Sequence, residues 1–68
     1  MGVPSIRHAR EELGITAQEF SQLLGVTPSA VSYWETGARH PKLRMQHRIA
    51  GILGVTWHEL FGQREDAA

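Results

Sequence analysis

The sequence predicts an all-α fold: five short helices packed into one compact domain. Three observations carry that expectation. A Gly-apolar-Thr triplet recurs at Gly14-Ile15-Thr16, Gly25-Val26-Thr27 and Gly54-Val55-Thr56. Between the triplets, apolar residues recur at helical spacing. No segment alternates apolar and polar residues as a half-buried strand does.

Each triplet has the same local physics. Glycine ends one helix by taking a left-handed conformation that a Cβ disfavours. Threonine then caps the next helix, its hydroxyl accepting a hydrogen bond from a free backbone N–H. Thr16 and Glu19 have the Thr-x-x-Glu spacing of a capping box, with Ile15 set to staple onto Phe20. Thr56 and Glu59 repeat the box, with Val55 set to meet Leu60. At the middle site Pro28 takes the first helical position, where its missing N–H costs nothing, and Val26 is set to meet Val31. Each cap contributes on the order of 1 kcal/mol, a sizeable share for so small a domain. The triplets are punctuation rather than a repeat, because the helices between them differ in length and pattern.

These marks predict helices over 5–13, 17–24, 28–36, 42–53 and 57–61. The inward faces are expected to carry Ile6, Ala9 and Leu13, then Phe20, Leu23 and Leu24, then Val31 and Trp34. Ile49, Ala50, Leu53 and Leu60 complete the expected core. Residues 1–61 are expected to form the single domain, and the polar residues 62–68 a frayed tail.

A chain of 68 residues has room for one domain and none for a separate ligand-sensing domain. At this size roughly 60% of the unfolded chain's surface is buried on folding, so the stability margin is thin. There is no cysteine, hence no disulfide staple and no thiol chemistry, which suits a cytoplasmic protein. No apolar run is long enough to span a membrane, and the N-terminus lacks a signal-peptide pattern. The Met1-Gly2 start does not make a myristoylation motif, because Ile6 stands where Ser or Thr is required. Enzyme signatures are incomplete. His58-Glu59 opens a zinc-protease-like His-Glu-x-x-His, but Gly62 replaces the second histidine. The histidines show no ligand spacing, Ser29 and Ser32 lie in no nucleophile elbow, and there is no phosphate-binding glycine loop. No catalytic residue, metal or cofactor is expected.

Net charge is zero, so bulk charge alone does not point to nucleic acid. The distribution is uneven. Residues 36–58 contain no acid, while Arg39, Lys42, Arg44 and Arg48 are basic and His40 and His47 add charge at lower pH. Acids collect at Glu11, Glu12 and Glu19 and at Glu65 and Asp66. Two readings fit this segment: a basic docking patch, or a solvated helix face.

The stretch 16–37 reads as two short helices joined by a three-residue turn, Gly25-Val26-Thr27. Such a pair presents one helix to the major groove of DNA. At about 100° per residue, the helix over 28–36 places Val31 and Trp34 on one side, flanked by Ala30 and Glu35. Pro28, Ser29, Ser32, Tyr33 and Thr36 gather on the other. Hydroxyls can donate or accept at base edges, and the face carries no carboxylate to repel phosphates. It equally fits an ordinary solvent-exposed surface. Arg, Asn and Gln, the strong bidentate readers of bases, are missing from it, which shifts the weight to shape and water-mediated contacts.

From Ile6 to Phe61 the chain resembles the Cro and phage-repressor type of helix-turn-helix domain, the Xre family. The resemblance is carried by Ile15-Thr16…Glu19-Phe20, Leu24-Gly25-Val26-Thr27, Val31-Ser32, Trp34-Glu35-Thr36-Gly37, Pro41-Lys42-Leu43, and Ile49-Ala50…Leu53-Gly54-Val55-Thr56…Glu59-Leu60-Phe61. It implies a lambda-repressor-like five-helix fold, a DNA-binding transcriptional regulator, and a homodimeric repressor on an inverted-repeat operator. By matching position it assigns base contacts to Thr27, Pro28, Ser29, Ser32 and Tyr33. Phosphate contacts fall to Ala17, Gln18, Thr36, Arg39, His40, Lys42 and Arg44. Arg10 and Glu35 occupy the places of an ion pair between the first and third helices, which makes Glu35 structural. Three positions depart from the family pattern. Ala17 replaces a frequent Gln, leaving backbone N–H groups to hold a phosphate. Pro28 replaces a frequent polar reader. Gln46 stands where Leu is common, either facing solvent or bonding at an interface.

Trp57 and Phe61, four residues apart on one helix face, are the candidates for a dimer contact, with Met45 and Ile52 behind them. The alternative is that both aromatics complete the monomer core. The rival function is that of an antitoxin or adaptor whose main partner is another protein.

Overall fold

The computed structural model describes residues 5–62. It comprises α1 (Ile6–Glu12), α2 (Ala17–Leu24), α3 (Pro28–Thr36), α4 (Leu43–Leu53) and α5 (Trp57–Phe61). No strand occurs among the described residues. The all-α, five-helix expectation holds. The readings made at Met1-Gly2, at Glu65 and Asp66, and for the tail beyond Gly62 lie outside the described residues.

Local chemistry sets the boundaries. Ser5 caps α1 by accepting the His8 N–H at 3.0 Å. Both capping boxes close: Thr16 Oγ1 accepts the Glu19 N–H at 3.0 Å while Glu19 Oε1 accepts the Thr16 N–H at 2.7 Å. Thr56 and Glu59 do the same at 3.0 and 2.9 Å. Lys42, expected inside the fourth helix, is instead the N-cap of α4 and makes no side-chain cap bond.

Phe20, Leu24, Val31 and Ile49 are fully or almost fully buried, and Ile6, Ala9, Ala50, Leu53 and Leu60 join them in one core. Every helix contributes to it. The α2–α3 pair is the most extensive packing and α4–α5 the next, with α1 laid against α3 and α4.

Two expected core residues are outside. Leu13 is 52% exposed and Leu23 55% exposed. Leu13 is the C-cap of α1, one residue past its last turn. The inward stripe of α1 is Ile6, Ala9 and Arg10. On α2 the stripe is Ala17, Phe20, Ser21 and Leu24, which leaves Leu23 about 110° away from its middle at helical geometry. A small hydroxyl thus takes the inward place expected of a leucine. Ser21 is buried without penalty because its Oγ donates to the Gln18 carbonyl at 2.7 Å.

Candidate nucleic-acid interface

α3 is presented by the tight turn before it. Gly25 takes φ 74°, a left-handed conformation that strains any residue with a Cβ. The Val26 N–H then donates to the Ser21 carbonyl at 2.9 Å, closing the end of α2. Thr27 caps α3 by accepting the Ala30 N–H at 3.1 Å, and Pro28 opens the helix. The Thr27 oxygen accepts this one bond, which leaves its O–H donor and a second lone pair for a ligand.

Packing sorts the sides of α3. Val31 is fully buried, and Ala30, Trp34 and Glu35 are half-buried. Pro28, Ser29, Ser32, Tyr33 and Thr36 are all exposed. The back of α3 is clasped by Arg10. Its Nε donates to Glu35 Oε2 at 2.7 Å and its Nη2 to Oε1 at 3.3 Å, while Nη1 donates to the Ile15 carbonyl at 2.9 Å. Both side chains are only 10% exposed. The guanidinium therefore ties α1, the turn after it and α3 together. The hydrogen bond to Glu35 raises the Arg10 pKa, and outweighs the opposing effect of burial.

After Thr36 the chain turns at Gly37, with φ 84°. The Thr36 hydroxyl donates to the Tyr33 carbonyl at 3.3 Å, and so does the Arg39 N–H, also at 3.3 Å. The Arg39 guanidinium carbon stands 4.6 Å from the centre of the Tyr33 ring. The structure thus brings Tyr33, Thr36 and Arg39 into one cluster. His40, Lys42 and Arg44 are exposed on the loop and the first turn of α4. Gln18 is exposed at the start of α2, whereas Ala17 is half-buried and packs partly against the core.

Residues 6–60 match the sequence model of the helix-turn-helix family. The chain belongs to the Xre, lambda-repressor-like helix-turn-helix family. Family membership makes it a DNA-binding regulator rather than an enzyme. An uncharacterized HTH-type transcriptional regulator of Methanothermobacter thermautotrophicus is 43% identical over 49 residues, spanning 72% of this chain and 71% of that protein. No solved structure matches the chain significantly.

At the other end of this helix-turn-helix domain, Trp57 and Phe61 are both half-buried and pack partly against the core. Their ring centres are 6.4 Å apart, and the Trp57 ring stacks on His47 at 5.8 Å. Gln46 is half-buried and bonds within the chain. Its Oε1 accepts the Trp57 indole N–H at 2.8 Å and its Nε2 donates to the Pro41 carbonyl at 2.9 Å. This bridge joins the loop before α4 to α5. Sequence reasoning missed it, although a buried tryptophan usually finds an acceptor for its N–H. Among the described residues no cluster of His, Asp and Glu can hold a metal ion. No described helix is long and apolar enough to cross a membrane.

Proposed function

We propose that the chain is a cytoplasmic, homodimeric repressor that lays α3 in the major groove of an inverted-repeat operator. The observation that supports this best is the exposed face of Pro28, Ser29, Ser32, Tyr33 and Thr36, free of carboxylates and flanked by Arg39. Thr27, Pro28, Ser29, Ser32 and Tyr33 meet base edges, where hydroxyls serve as adaptable donors and acceptors and Pro28 adds apolar contact. The Ala17 and Gln18 backbone N–H groups, at the positive end of α2, face one phosphate. Thr36, Arg39, His40, Lys42 and Arg44 follow the phosphate chain beyond α3. Residues 36–58 hold no acid, so this flank is attractive to DNA despite a net charge of zero. The Arg10–Glu35 pair is structural and keeps α3 in place.

A second copy doubles the site. Trp57 and Phe61, half-buried in the monomer, supply the apolar contact between copies. Half-sites then lie one helical turn apart, near 34 Å. Residues 1–61 act as the whole DNA-binding unit, and repression follows from occluding the promoter.

The test is selection of binding sites from random DNA with the full chain, followed by a salt titration. An enriched inverted repeat, with affinity falling steeply as salt rises, is the expected result. Absence of any enriched sequence would overturn the reading and point to an antitoxin or adaptor with a protein partner.

A further inference from the structure

We propose that Tyr33 and Arg39 form one preassembled reading element, in which Arg39 sets sequence preference and not only affinity. This rests on the major-groove reading above and deepens it. Sequence position alone divides the two residues, giving Tyr33 to bases and Arg39 to phosphates. Geometry joins them.

Arg39 is anchored to Tyr33 at two points. Its backbone N–H donates to the Tyr33 carbonyl at 3.3 Å, and its guanidinium lies 4.6 Å from the centre of the Tyr33 ring. The turn at Gly37, with φ 84°, brings the chain back over the last turn of α3 and makes both contacts possible. The Thr36 hydroxyl holds the same carbonyl at 3.3 Å, and the Ala38 N–H bonds that hydroxyl at 3.4 Å. The loop is therefore built onto α3 rather than hanging from it.

A guanidinium that lies flat on a ring keeps its in-plane N–H donors available, in the fork that matches a phosphate or the paired acceptors of guanine. Residues 36–58 hold no carboxylate, and among the described residues the Arg39 guanidinium makes no ion pair or side-chain hydrogen bond. Tyr33 is 41% exposed, so part of it remains open to a ligand beside Arg39. An arginine held in this way has less freedom to lose on binding than one waving in solvent. The missing bidentate reader of α3 is thereby supplied from the loop.

The experiment uses the full chain on its selected site and on single-base variants of that site, at several salt concentrations. The proteins are wild type, Arg39→Lys, Arg39→Ala, Tyr33→Phe, Tyr33→Ala and the Tyr33→Ala/Arg39→Ala double variant. Arg39→Lys keeps the charge and loses the fork, so the salt slope stays while discrimination relaxes about tenfold, at base pairs that Tyr33→Ala also affects. Arg39→Ala relaxes the same positions and lowers the slope by about one. The double variant is less than additive, by about two- to fivefold. Tyr33→Phe keeps the ring and leaves Arg39 discriminating as before. In the DNA-free protein, the ring-current shift on the Arg39 side chain survives in Tyr33→Phe and is lost in Tyr33→Ala. If Arg39→Lys and Arg39→Ala weaken all sequences alike, and the double variant is additive, the proposal falls while the major-groove reading stands. If the wild-type chain enriches no DNA sequence, both fall together.

Discussion

The two sides of α3 each carry an arginine, and they use it in opposite ways. Arg10, behind the helix, is buried, with its donors spent on Glu35 and on the Ile15 carbonyl. Arg39, in front, lies over the exposed Tyr33 ring and has no other side-chain hydrogen bond or ion pair among the described residues. Spent donors fix α3 to the scaffold, whereas free donors leave something for a ligand to take. The difference separates the structural residue from the binding residue more sharply than charge does.

The largest expected effect breaks the rear arginine's contact. Glu35→Ala leaves a buried guanidinium without its counter-charge, and the loss should be about 3 kcal/mol. In a domain of this size that is a large part of the total stability, and chemical denaturation will show it as a much lower midpoint. Replacing both partners, as Arg10→Met with Glu35→Leu, should recover much of the loss, because an apolar pair of similar volume avoids the desolvation cost. A double variant as unstable as Glu35→Ala alone would mean that the bond to the Ile15 carbonyl, not the ion pair, holds α3. The sign of the pH effect follows from the raised Arg10 pKa. Its contribution is complete below the ordinary arginine range and fades only as pH climbs through the raised value, so the arginine causes no loss of stability near neutrality.

The next effect tests the far end of the scaffold, where Gln46 bridges Pro41 and Trp57. Gln46→Leu restores the residue common in the family but orphans the indole N–H and a carbonyl. A loss of roughly 1–2 kcal/mol is expected, read from thermal unfolding. An unchanged midpoint would mean that water replaces both bonds at no cost.

Much of this arrangement was legible in the sequence, because much of it is local. Caps, boxes and the order of the helices depend on residues within four positions of each other, and α2, α3 and α5 run between the expected residues. The outward face of α3 was legible for the same reason, since helical rotation alone separates Ser32 and Tyr33 from Val31 and Trp34. What failed was the choice of inward residue where a polar group competes. Arg10 and Ser21 lie inward where Leu13 and Leu23 were expected, because each found a partner that removes the cost of burial. The Gln46–Trp57 bond and the Tyr33–Arg39 stack were not legible either. Both depend on how a loop or helix folds back, which apolar periodicity does not encode.

A smaller effect probes the turn that carries Arg39 forward. At Gly37 a Cβ would meet nothing within 4 Å, so crowding is not the obstacle to Gly37→Ala. The obstacle is φ 84°, which costs an alanine on the order of 1 kcal/mol. The variant should lose about that much stability. It should also relax the ring-current shift on Arg39, because the turn opens to escape the strain. Loss of stability with an unmoved shift would separate the turn from the stack.

The smallest effect sets the front of the helix against the rear most directly. Tyr33 and Arg39 are exposed and bury no charge, so Arg39→Ala should change unfolding free energy by less than about 0.5 kcal/mol. Removing an arginine in front of α3 then costs the fold little, whereas breaking the arginine's ion pair behind it costs several times more. DNA binding should report the reverse: Arg39→Ala lowers affinity and salt slope in a protein that remains folded. If Arg39→Ala destabilised the chain as strongly as Glu35→Ala, the stack would be part of the scaffold. The contrast between spent and free donors would then no longer mark the binding face.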